Sequence, residues 1–240
     1  MGSAPGVTAC RDWPRTLFSS IVAINNAWRV RDDWDYHVAP DDFPKDRSPD
    51  GLRGDQRQIG SDSYVPTNNQ YGGIIYAGGT MAFSAGYWAL SALRPEILVF
   101  AGCDMVYPAS GNTHFYGTGT PDPLRVDITL RNLEAKSARL MFHAARQGCA
   151  CVRIPSDESR LVFPVAELGD LARGQVEHVL PDLSGFMRVK ARERELGCYV
   201  ESGRYWEAAK PYPVSDLDDI DRMWLGLCGL NLGREHVLLA

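Results

Sequence analysis

The chain has 240 residues, enough for one sizeable α/β domain or two small ones, so a disulfide-stapled miniprotein is excluded. Its 45% apolar and 23% charged residues are those of an ordinary globular protein rather than a disordered one. With 25 Lys plus Arg against 30 Asp plus Glu, net charge −5, it lacks the basic face that duplex nucleic acid demands, although a local basic pocket is compatible with that balance.

No apolar run reaches the roughly 18 residues of a membrane-spanning helix, and Met1-Gly2-Ser3 is not the charged head of a secretory signal. The expectation is a cytoplasmic protein with no membrane span. The six cysteines, Cys10, Cys103, Cys149, Cys151, Cys198 and Cys228, contain no C-x-x-C pair. Cys149 and Cys151 have the spacing of a strand rather than a zinc knuckle, so free, mostly buried thiols are expected.

In chain order, the turn-like Gly2-Ser3-Ala4-Pro5-Gly6 comes first, with no strand before it, and the architecture expects a strand upstream of the start codon. Val7 to Phe18 reads as a helix cut short at Trp13-Pro14. Ser20 to Ile24 is a β-branched run of the kind buried on both faces of a parallel sheet, and Asp35 to Ala39 is a second strand. Asp42 to Asn69 is polar and rich in Pro and Gly, which predicts a long loop or lid.

Gly78-Gly79-Thr80 precedes a helix rich in small residues, Met81 to Leu93, ended by Pro95. Glu96 to Gly102 is the strongest strand signal and leads to Cys103-Asp104, the kind of carboxyl end where function gathers in open α/β sheets. The glycine- and aromatic-rich segment Tyr107 to Pro123 suits binding more than packing. An amphipathic helix over Leu130 to Gln147 and a strand over Cys149 to Ile154 follow.

Val165 to about Leu196 reads as helical, with Arg188 to Glu195 a solvated face of alternating charge, and Asp216 to Leu227 is a last helix. The alternation of strands and helices predicts an α/β fold, a mostly parallel Rossmann-like sheet flanked by helices. Residues 1–165 form that core, and residues 166–240 a helical C-terminal extension packed on it.

Several residues are candidates for chemistry. Gly2 and Ser3 could present backbone N–H groups to a phosphate, or merely form a tight turn. Asn25 and Asn26, at a strand end, could bind a base or sugar, or simply turn the chain. Gly79 and Thr80 offer a second anion-binding corner or an ordinary helix cap. Asp104 follows the best strand, and His114, among Tyr107, Phe115 and Tyr116, is the leading general acid or base because its pKa lies near neutrality. There is no G-x-x-x-x-G-K-[ST], G-x-S-x-G, H-E-x-x-H or G-x-G-x-x-G after a strand, and no spaced Cys/His metal set.

The succession Gly2-Ser3-Ala4-Pro5, Ile21 to Asn26, Gly79-Thr80, Gly102 to Tyr107 and Thr113-His114-Phe115-Tyr116-Gly117 resembles the bacterial CMP-sialic acid transferases with a Rossmann-like nucleotide domain, and their motility-associated and uncharacterised relatives. The resemblance spans roughly residues 1–165. It implies nucleotide contacts from Gly2, Ser3 and Asn25, a phosphate turn at Gly79 and Thr80, and a leaving phosphate held by Tyr107 and Tyr116. It further implies inverting transfer of a sugar from a nucleotide-sugar donor, CMP-sugar favoured, to a carbohydrate or glycoconjugate hydroxyl, with no obligatory metal. The family's base histidine falls on Thr118, which cannot act as a base at neutral pH, while His114 lies four positions earlier. Either His114 takes the role, or the protein is a non-catalytic nucleotide or sugar-phosphate binder on the same fold. The Asp42 to Asn69 segment and the tail from Tyr205 to Pro213 would be lids or acceptor contacts, and an oligomer is compatible with all of this.

Overall fold

The computed structural model describes residues 1–107, 111–118, 126–180 and 182–230. They form an α/β protein with two short parallel sheets flanked by helices. Three strands, β1 (Val22–Ile24), β2 (Tyr36–Val38) and β3 (Arg57–Ile59), pair in the order β1-β2-β3, with Ala23 opposite His37 and His37 opposite Gln58. The second sheet pairs β4 (Ile97–Phe100) with β5 (Ala150–Arg153), Ile97 lying opposite Ala150.

Residues 1–4 lie between the two sheets. The Met1 ammonium donates to the Val22 carbonyl at 2.7 Å and the Ile24 N–H returns to the Met1 carbonyl at 3.0 Å, a parallel ladder with Met1 across from Ala23. On the other side, Gly2 N–H reaches the Ala101 carbonyl at 2.8 Å and Ala4 N–H the Gly102 carbonyl at 2.9 Å. A Cβ on Gly2 would stand 2.3 Å from the Gly102 oxygen, so only glycine fits this approach. The carboxyl ends of β1 and β4 and the turn after Met1 thereby share one rim.

Three expectations for the elements need correction. Val7 to Phe18 is not an α-helix but two 3₁₀ turns, Pro5–Asp12 and Arg15–Leu17, because Pro14 removes a donor in mid-segment. The presumed lid from Asp42 to Asn69 contains a 3₁₀ turn (Lys45–Arg47), strand β3 and most of helix α1 (Ser61–Gln70). Its polar composition hid them, since β3 is largely exposed and only Tyr64 and Asn68 of α1 are buried. The segment from Val165 to about Leu196 is not one helix but contains two, α5 (Leu168–Arg173) and α6 (Leu183–Leu196), α5 ending at Gly174 in a left-handed conformation.

A short helix α2 (Ile74–Ala77) precedes α3 (Met81–Ala92), which is buried from Phe83 to Leu90 on every side, as befits a helix inside the core. Thr80 caps it by accepting the Phe83 N–H. Helix α4 (Leu133–Arg146), capped by Asn132, packs on α3 and on α7 (Val214–Leu227). Phe83, Leu140, Phe142, Phe186, Ile220 and Trp224 belong to one continuous buried cluster, so α6 and α7 bury their apolar faces against the same core as the sheets.

The charged run on α6 is not wholly a solvated face. Glu193 is 2% exposed and receives Arg139 Nε and Nη2, Lys190 Nζ and the Trp224 indole N–H. Among the described residues no helix is long and apolar enough to cross a membrane, and the six cysteines are free, five of them buried.

Candidate functional site

The rim carries most of the residues expected to do chemistry. Gly2 and Ser3 end the ladder with β1, and Ser3 accepts the Phe115 N–H at 3.0 Å, which brings the Thr113 to Thr118 turn down onto the amino-terminal turn. Gly102, at φ +66°, passes so close to Val7 that a Cβ would stand 2.5 Å from the valine Cβ. Asp104 stands two residues on, after Cys103, and its carbonyl accepts the Arg160 N–H. These contacts bring Gly2, Ser3, Asp104 and His114 onto one side of the junction between the sheets.

Asn25 follows β1 at φ +51°, a left-handed conformation that asparagine tolerates better than most residues. Its carbonyl accepts His37 Nε2 at 2.9 Å. The side-chain oxygens of Asn25 and Asn26 are buried and meet no hydrogen-bond donor among the described residues. Acceptors of this kind go with strain, ordered water or a ligand, and Asn68 and Asn69 of α1 carry two more away from the rim.

In the His114 turn, His114 and Gly117 exchange backbone hydrogen bonds at 3.0 and 3.1 Å. The imidazole stacks on Tyr116, with centroids 4.9 Å apart and planes 23° from parallel, and Tyr107 approaches at 6.2 Å. Thr113 Oγ1 meets His114 Nδ1 at 2.8 Å. Burial lowers the His114 pKa below its ordinary 6.5, keeping the ring neutral at pH 7. Thr118 is exposed, its hydroxyl donating to the Gly111 carbonyl. Residues 108–110 and 119–123 of the expected binding loop lie outside the described residues.

The Gly79 and Thr80 corner begins α3. Gly86, near the middle of that helix, sits against the Phe100 ring at the carboxyl end of β4, so Thr80, almost two turns earlier, lies beyond the same end of the strands. Sequence reasoning missed what surrounds it. A Cβ on Gly79 would stand 2.2 Å from Thr129 Oγ1 and 3.6 Å from the Tyr205 hydroxyl. Asp127 ties the two together, accepting Thr129 Oγ1 at 2.6 Å and Tyr205 Oη at 2.6 Å. Tyr205 is thus buried structure at this corner rather than a free lid, and Tyr212 Oη donates to its carbonyl. Only the long sequence separation of Asp127 and Tyr205 concealed the pairing.

Among the described residues no group of three or more His, Cys, Asp and Glu is arranged to hold a metal ion. No protein-family model matches the chain, and searches of curated proteins and of solved structures return no match.

Proposed function

We propose that the rim binds a nucleotide-activated sugar, CMP-sugar favoured, and that the protein transfers the sugar with inversion to a hydroxyl of a carbohydrate or glycoconjugate acceptor. The observation that carries the reading is the convergence on one rim of the strand-end amides Asn25 and Asn26, the His114 turn and a glycine turn pinned between two sheets. Strand-end amides are suited to the exocyclic amine of cytosine and to ribose hydroxyls, which donate to amide oxygens and accept from amide nitrogens. The position of residues 1–4 between β1 and β4, with strand ends and the α3 amino end on one side, supports a Rossmann-like arrangement around that ligand.

In this mechanism Tyr107, Tyr116 and backbone N–H groups of the Gly79 turn face the leaving phosphate, where fixed donors stabilise developing charge; the Gly2 N–H, expected there from the sequence, is instead spent on the Ala101 carbonyl. His114 acts as base through Nε2, with Nδ1–H donating to Thr113 Oγ1. The acceptor O–H gives its proton to Nε2, its oxygen bonds the anomeric carbon, and the bond to phosphate breaks with the electron pair leaving on the nucleotide. Asp104, on the same rim, is the carboxylate that would orient the acceptor or the ring.

A thermal-shift panel of CMP, UMP, UDP and their sugars tests the reading, because a ligand that binds only the native state raises the midpoint by mass action. CMP and CMP-sugars at millimolar concentration should give the largest shift; no shift from any nucleotide would overturn it. Thr118, in place of the histidine the resemblance leads one to expect, favours a second reading, a non-catalytic binder of the same ligand. That alternative keeps the CMP shift and shows no donor turnover.

A further inference from the structure

A cavity of about 710 Å³ separates β1 from β4 and is lined by Ile21, Val22, Ile97, Val99, Ala85 and Ala89 among others. Its walls are two strand edges. In a parallel strand successive residues turn their N–H and C=O groups to opposite sides. Ile21 accepts from Asp35 and Tyr36 on the β2 side, so Val22 faces the cavity. Glu96 and Phe100 accept from Ala150 and Ile154 on the β5 side, so Ile97 and Val99 face it from the opposite wall.

The gap is one strand wide. Neighbouring strands lie about 4.8 Å apart, and residues 1–4 already fill the interval at its carboxyl end, bonded to Val22 and Ile24 on one flank and to Ala101 and Gly102 on the other. Traced backward from Met1, the same line runs between Val22 and Val99. The strongest strand of the sequence is only half-buried at Ile97, Leu98 and Val99, although parallel strands are ordinarily covered on both faces. The small residues Ala82, Ala85, Gly86 and Ala89 of α3 border the cavity and leave room for large side chains above them.

We propose that this cavity seats a further parallel strand, an extended apolar segment of about four residues joined to the nitrogen of Met1, which knits β3-β2-β1 and β4-β5 into one continuous sheet. The segment replaces the Met1 ammonium by a peptide N–H at the Val22 carbonyl. It is β-branched and apolar, because Trp13, Phe18 and Leu171 line the slot beside the small residues of α3. The assignment stands independently of the ligand bound on the rim.

The test compares the 240-residue chain with one carrying Val-Thr-Val-Ile directly before Met1 and one carrying Gly-Ser-Gly-Ser there. The apolar extension should raise the thermal midpoint by about 5 °C or more over both others. It should also slow amide exchange at Val22 and Val99 by about tenfold or more. Ile97→Pro, which removes an N–H facing the slot but none used by β5, should leave the 240-residue chain folded and cut the gain of the apolar extension. A midpoint and exchange pattern equal to the Gly-Ser control overturns the proposal. So does protection seen only in a dimer, or protection given equally by the free tetrapeptide, since either would place the occupant in another chain.

Discussion

His114 illustrates what a single residue's setting decides. Its ring is stacked on Tyr116 and bonded to Thr113, and partial burial lowers its pKa, which favours the unprotonated form a base requires at neutral pH. With His114→Ala we expect donor hydrolysis and transfer to vanish while CMP still shifts the thermal midpoint as in the parent chain; unchanged turnover would remove His114 from its role. The non-helical turn around His114 was legible in the sequence because that loop carries no apolar periodicity. Asn25 was legible for a related reason, a short amide at a strand end where few residues accept φ +51°. Met105, at φ +58°, gave no such sign, since nothing in a methionine announces a left-handed backbone.

At the level of elements, α4 is fastened to α7 by Lys136 and Asp221, whose side chains are 3% and 4% exposed and meet at 2.8 Å. Burial pushes the Asp221 carboxyl above its ordinary value even with the ammonium beside it. Lys136→Met should therefore destabilise the protein by about 3–5 kcal/mol, while Lys136→Met with Asp221→Leu should recover most of the loss. Urea denaturation of the two variants measures this, and a double variant no better than the single one would contradict it. The helices whose apolar residues dominate, α3 and α4, were readable in outline, as were β1, β2, β4 and β5. Strand β3 and helix α1 were not, because Arg57, Gln58 and the polar run Ser61 to Gln70 bury too little to leave a period. The pairings of Glu193 with Arg139 and of Lys136 with Asp221 were also invisible, since a charge on a helix reads as solvated until its partner, 54 or 85 residues away, is placed.

For the molecule as a whole, Arg139 and Glu193 are the polar centre of an apolar interior. Arg139 donates to Glu193, to the Tyr87 hydroxyl and to the Tyr71 carbonyl, joining α3, α4 and α6 with the turn after α1. Burial by itself would raise the Glu193 carboxyl, but Arg139 and Lys190 outweigh it and bring the pKa down from 4.5 to about 2. A lowered folded-state pKa contributes stability above pH 4.5, and that contribution, about 3 kcal/mol, is lost as pH falls from 4.5 towards 2. Glu193→Gln should be strongly destabilised at pH 7, and its deficit against the parent chain should shrink steadily over that acid range in denaturation experiments. A deficit independent of pH would mean that Glu193 is not ionised in the native protein.

The junction made by residues 1–4 has a bearing on how the chain reaches this state during synthesis. These residues are synthesised about a hundred residues ahead of their partners Ala101 and Gly102, which follow roughly 5–20 seconds later at ordinary elongation rates. Until then the nascent β1, β2 and β3 wait with one flank open. A growing chain of this design is at its most adhesive in the interval between the emergence of β1 and that of Gly102, the window in which a chaperone would have most to shield.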